Sequence, residues 1–275
     1  MYEFQTSGPI MVSIKMGAGS ATVVAEEREG AVVEVVPADD SDASRQQADN
    51  TRVDLHGTTL VIHAPEPAGW IWRRGKVRVT ARVPLDSGFE VHTASADVEL
   101  SGRWREGSVT SASADVRIDT VTGDLRVNTA SGDVRLGGVG GGLKVTSASG
   151  DVAVGSVGRD AVLHSASGDL SIHDTGGSVQ ARTASGDIAI LRAHRGELRG
   201  TTASGDVNVS VLPGTGVYMD VRTLSGSTHT DLDVGDKPPA TADDPASMLS
   251  LRLQTASGDI TVMRAPAGEK KVAHT

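Results

Sequence analysis

The sequence predicts an all-β chain: a single-stranded parallel β-solenoid, β-helix or β-roll-like, with about 18 residues per turn and irregular β caps at both ends. Three observations lead there. The phrase Ser-(Gly/Ala)-Asp-(Val/Leu/Ile) returns with Asp97, Asp115, Asp133, Asp151, Asp169 and Asp187 eighteen residues apart, and with Asp206 after nineteen. Between successive Asp residues the apolar positions alternate with period two, as a strand with one buried face requires. Aromatics make up only 3% of the 275 residues and glycine supplies 33, a composition suited to thin stacked β-structure rather than a thick core.

Residues 1–90 do not keep the eighteen-residue register but still read as strands at 11–15, 21–25, 31–36, 59–63 and 76–83, forming irregular N-terminal coils that cover one end. Residues 91–212 are the regular repeat. Counting the Asp as position 1, apolar residues fall at positions 2, 4, 7, 11 and 13, as in Val134, Leu136, Val139, Leu143 and Val145. Small residues continue the inward alternation at positions 15 and 17, here Ser147 and Ser149. Each turn is thus two strands and two bends, and Gly123-Asp124-Leu125 echoes the motif nine residues after Asp115. With parallel strands about 4.8 Å apart, seven or so turns predict a rod of about 30 Å. Parallel crossovers are right-handed by default, and a left-handed coil stays open. Residues 213–262 read as a C-terminal coil: Pro213 breaks the repeat, the Pro/Asp-rich stretch 235–247 is an inserted loop, and Ser257-Gly258-Asp259 restores the motif. Residues 263–275 are expected to be a flexible tail, the whole being one elongated domain.

The recurrent Thr-Ala-Ser-Gly-Asp-Val phrase, the strand-rich start and the Val-Pro-Leu-Asp-Ser-Gly segment at 83–88 resemble the bacterial putative-adhesin β-strand-repeat family, a domain family of unknown function. The likeness covers roughly residues 10–262. It implies the coil and an adhesin-like role, and it transfers no catalytic residue.

Several function classes are disfavoured by composition and motifs. A net charge of -9 argues against nucleic acid, whose phosphates call for a basic face. The absence of cysteine removes disulfides, thiolate metal sites and thiol catalysis. No run of eighteen apolar residues marks a membrane span and no basic-then-apolar leader opens the chain, so a cytoplasmic location is expected. An extracellular or cell-surface location is the alternative if a signal segment has been removed. The eight histidines form no metal-ligand motif, and there is no nucleophile elbow or phosphate-cradling loop. No catalytic residue and no cofactor are assigned.

Two features invite a binding role. The first is the column Asp97, Asp115, Asp133, Asp151, Asp169, Asp187 and Asp206, which points outward because position 2 points inward. Its structural reading is a ladder held by hydrogen bonds from Asp to turn amides. Its functional reading is calcium, since calcium-binding β-rolls also use two nine-residue units per turn. Calcium takes six to eight oxygens, however, and each bend here offers one carboxylate and no glycine-rich string. The second feature is Trp70, Trp72, Arg73 and Arg74, a mixture of indoles and cations typical of contact surfaces. Its structural reading, the favoured one, is a hairpin whose indoles cap the coil's end.

The function these readings favour is a non-enzymatic interaction or adhesin-like scaffold acting on an unidentified protein or surface partner. The alternatives are a self-assembling scaffold of bactofilin type, a calcium-binding β-roll and, least favoured, a carbohydrate-active β-helix enzyme. A monomer is expected because long flanks on both sides of the repeat guard against open sheet edges.

Overall fold

The computed structural model describes residues 1–65, 75–232 and 248–266, and it is a parallel β-solenoid built of strands with one short helix. The chain divides into two compact units, Met1–Val154 and Gly155–Thr275.

In the first unit the eighteen-residue period brings like onto like. Val91 pairs with Val109, Val109 with Val127 and Val127 with Val145 in parallel register. On the other strand of each coil Val98 stacks on Val116 and Val116 on Val134, with Leu100, Ile118 and Leu136 beside them. All are buried, so each apolar side chain has a neighbour of similar size above and below, which fills a narrow core without voids. Phe89 and Trp104 meet edge to face, with ring centroids 5.2 Å apart.

The inward alternation stops earlier than the sequence predicts. Ser147 is buried, but Ser149, expected inside, is exposed. The strand Leu143–Ser147 ends at that serine, and the chain then turns through 148–150, where period two no longer applies.

The first unit does not follow chain order at its outer coils. The strand Met11–Glu26 lies in the middle of three: one side pairs with Thr59–His63 and Val77–Pro84, the other with Gly88–Trp104, all in parallel. The coil formed by Thr59–His63 and Val77–Pro84 is therefore outermost. Antiparallel strands lie along it: Arg52–His56 on Thr59–His63, Ala31–Pro37 on Val77–Pro84, and Tyr2–Phe4 on Ala31–Pro37. Reversing strand direction stops the coil from continuing and covers its edge. The helix Asp42–Asp49 is started by Ser41, whose Oγ accepts the Ser44 N–H, and Ser44 Oγ accepts the Lys76 N–H.

In the second unit Ala161 stacks on Val179 and Val179 on Leu198, while Leu170 stacks on Ile188 and Ile188 on Val207. The nineteen-residue step to Asp206 has a local cause. Thr175 pairs with Ala193, eighteen residues on, but Val179 pairs with Leu198, nineteen on, so the extra residue lies in the bend between Ala193 and Leu198. Separately, a register shift between Ile190 and Ala193 against Val207–Val211 leaves Leu191 exposed.

This unit repeats the out-of-order threading. Among the described residues the last strands in sequence, Met248–Ser257 and Ile260–Arg264, lie between the coil Gly196–Ser204 with Val207–Val211 and the coil Gly216–Ser225 with Thr228–Thr230. Leu251 accordingly sits between Leu198 and Met219 and is fully buried, whereas Met219 in the outer coil is half-buried. Leu251→Ala is therefore expected to cost about 2–4 kcal/mol by denaturant unfolding, and Met219→Ala under about 1.5 kcal/mol. Equal losses would contradict this order of coils.

Candidate functional site

The repeated corner can be built residue by residue. In Thr129-Ala130-Ser131-Gly132-Asp133 the threonine is the last inward residue of its strand, and its Oγ1 donates to the Ser131 carbonyl. Ser147 and Thr183 do the same to the carbonyls of Ser149 and Ser185. Thr202, Thr255 and Thr223 reach instead to the glycine carbonyls of the stacked coils, Gly186, Gly205 and Gly258. A small hydroxyl at this place donates to a corner carbonyl, and at Ser185 it adds to the bond from the Gly168 amide.

The glycine is fixed twice over. Gly150, Gly186 and Gly258 have φ of 104°, 141° and 146°, a region that side chains rarely enter. A Cβ on any of them would also collide with the carbonyl oxygen of the glycine stacked beside it, namely Gly132, Gly168 and Gly205.

The aspartate binds one coil to the next. In the first unit Asp97 Oδ1 accepts the Asp115 N–H at 3.2 Å, and Asp115 and Asp133 accept the amides of Asp133 and Asp151, each at 3.1 Å. In the second unit Asp169, Asp187 and Asp206 accept the amides of Asp187, Asp206 and Asp259, each at 2.8 Å. Asp259 accepts both the N–H and the Oγ–H of Ser227, which hold its carboxyl below the usual carboxylate range. Within each unit the sequence-predicted Asp residues thus form a ladder, and Asp259 extends that of the second unit.

The same device recurs at the opposite bend, which sequence reasoning marked only through Gly123-Asp124-Leu125. Asp124 accepts the Gly142 N–H, Asp160 the Ser178 N–H and Asp231 the Arg264 N–H, at 2.8, 2.9 and 2.8 Å. Outward arginines lie beside the main ladder: Arg135 meets Asp133 at 2.8 Å and Arg117 meets Asp115 at 3.6 Å. Both pairs are well exposed, so they add little to stability.

The other candidates divide. Trp70, Trp72, Arg73 and Arg74 lie outside the described residues. Among the described residues no three His, Asp or Glu side chains converge as a metal site, and no helix is long and apolar enough to cross a membrane. The hollows there include two open ones. One of about 480 Å³ is lined by Gly102, Arg103, Asp119, Thr120 and Gly137, and one of about 540 Å³ by Asp49, Asn50, Thr51, Arg52, His63 and Pro65. In the first, Asp119 accepts the Gly102 amide, and Arg103 is bound to Asp86 through two hydrogen bonds of 2.8 and 2.7 Å that hold the Asp86 carboxyl below its ordinary range.

The model of the Toastrack DUF4097 family matches residues 11–263. Solved structures of similar backbone include a putative lipid binding protein from Parabacteroides distasonis, 13% identical over 94% of this chain and 95% of that one, with a TM-score of 0.47. A putative adhesin from the same species is 11% identical over 94% and 95%, with a TM-score of 0.42. A putative adhesin from Bacteroides fragilis is 12% identical over 96% and 95%, with a TM-score of 0.36. With identities this low and TM-scores below 0.5, what those proteins bind does not carry over to this chain. No curated protein matches the sequence.

The corner geometry separates the acceptor oxygen from the charge. Asp133→Asn keeps an acceptor for the Asp151 amide and is expected to cost under about 0.5 kcal/mol, whereas Asp133→Ala leaves that amide unpaired and should cost about 1–2 kcal/mol. Both variants lose the ion pair to Arg135, so the difference between them in denaturant unfolding reads the amide contact alone. Equal costs would show that the ladder does not hold the coils.

Proposed function

The chain belongs to the Toastrack DUF4097 family, a domain family of unknown function, and on that premise we propose that it is a non-enzymatic interaction scaffold of adhesin-like type. The observation that carries this reading is the commitment of the most repeated carboxylates to backbone amides. A general acid, a nucleophile or a metal ligand needs free lone pairs and a place for substrate beside them. Here the ladder Oδ1 atoms already serve the fold, and the described hollows are open to water. The motif is architecture, and recognition falls to whatever the coils carry outward.

We assign the contact to Trp70, Trp72, Arg73 and Arg74. They connect Thr59–His63 to Val77–Pro84, the two strands of the outermost coil of the first unit. Indoles and guanidinium groups are enriched at contact surfaces, where aromatic and cationic side chains pair favourably.

Thermal melting tests the reading. Trp70→Ser with Trp72→Ser should shift Tm by no more than about 2 °C, because a contact segment adds little to the core. Millimolar Ca²⁺ should leave Tm where Mg²⁺ leaves it. A large loss in the double variant would make the indoles part of the cap, and a rise with Ca²⁺ alone would replace the scaffold reading with a calcium-binding roll.

A further inference from the structure

In the second unit the outer strand Gly216–Ser225 pairs with Met248–Ser257 on one side, and no strand among the described residues pairs with its other side. The strand is ten residues long and contains no Pro, and the two charges it carries, Asp220 and Arg222, are of opposite sign. Its outward face carries Tyr218, Asp220, Arg222 and Leu224. Tyr218 is 60% and Leu224 89% exposed, and apart from Met1 these are the most exposed large apolar side chains among the described residues. On its inner face Val217, Met219 and Val221 are only half-buried, whereas Leu249, Leu251 and Leu253 beside them are fully buried.

We propose that this edge pairs antiparallel with the same strand of a second copy of the chain, across a two-fold axis at Val221. The strand is self-complementary in that register. Asp220 faces the partner's Arg222 and Tyr218 faces the partner's Leu224, each pair occurring twice, while Val221 meets its own copy on the axis. Opposite charges and apolar pairs directly across a ladder are the favourable arrangement. Other registers lose it. An axis at Asp220 or at Arg222 sets like charges against one another, and an axis between residues turns outward side chains against inward ones.

The ends of the two units decide between a closed pair and a filament. Ser225-Gly226-Ser227 carries serine where Ser204-Gly205-Asp206 and Ser257-Gly258-Asp259 carry aspartate. Asp259 takes the Ser227 amide, but Ser227 has no carboxylate with which to take the amide of a further parallel coil. Head-to-tail continuation would therefore lack the ladder contact, whereas antiparallel pairing does not use it. The outermost coil of the first unit is already lined by antiparallel Arg52–His56 and Ala31–Pro37. Assembly closes at two copies, as an isologous interface does.

The test uses the full chain in light scattering and sedimentation across concentration. Wild type should move from one to two chain masses and no further. D220R or R222D alone should weaken dimerisation about tenfold or more, and D220R/R222D together should recover most of it, because the swapped pair is again complementary. Because the chain has no cysteine, V221C gives a second readout. On the axis its two copies lie within disulfide range, so mild oxidation should link them. V217C, facing the partner's Ser225 and about 25 Å from its own copy, should not be linked. A single chain mass at every concentration, with V221C no more cross-linked than V217C, overturns the proposal, as do polymers longer than two.

Discussion

At each repeated corner one amide, that of the aspartate, takes a carboxylate rather than a carbonyl as its acceptor, and this constraint orders the rest of the structure. Strand amides, and bend amides such as those of Gly168, Gly186 and Gly205, find carbonyls in a neighbouring coil, but the corner aspartate N–H is directed to a carboxylate instead. Leaving it unpaired in a partly buried corner costs as much as a lost hydrogen bond. The aspartate carboxylate supplies the acceptor, and it can do so only if the neighbouring coil places its own aspartate amide directly beside it. That demand fixes the period, forces glycine where the corner backbones touch, and puts a hydroxyl on the last inward position to serve a corner carbonyl. The apolar ladders then follow, because a coil held in register at its corner stacks valine on valine and leucine on leucine.

The ladder also has a direction, and its end is visible. Each aspartate holds the coil that follows it in space, so the last coil in space has no use for one. Ser227 occupies that place, in the coil Gly216–Ser225 with Thr228–Thr230, although residues 248–264 come later in the chain. In both units a segment near a chain terminus, 11–26 or 248–264, is flanked on two sides by strands that come from further inside the sequence. A segment held between two coils cannot detach without breaking the pairing on both sides.

How much of this was legible follows from the range of the interactions. The eighteen-residue period, the inward positions of Val134, Leu136, Val139, Leu143 and Val145, and the outward aspartates could be read because each depends on local alternation and a fixed spacing. Ser149 was misplaced because alternation was carried past the strand's end into a turn. The threading of 248–264 was not read, since nothing in a strand's own residues says which coil it joins, although serine in place of aspartate at 227 carried the information. The antiparallel strands along the outer coil of the first unit likewise depend on pairing partners distant in sequence. For the candidate site, the position of the Asp column was readable but its partner was not: a carboxylate at a bend is equally suited to an amide or to an ion until the neighbouring coil is in place.

The corners hold the coils, and the side chains between and beyond them are free to differ from coil to coil. The measurement that bears most directly on this account is native-state hydrogen exchange at the corner amides of Asp115, Asp133, Asp151, Asp187, Asp206 and Asp259. These groups lie in bends where solvent is near, yet the account predicts slow exchange, comparable to that of the flanking strand amides, because each is bound to a carboxylate. Exchange at the rate of unprotected loop amides would contradict it and leave the repeated aspartate without its structural role.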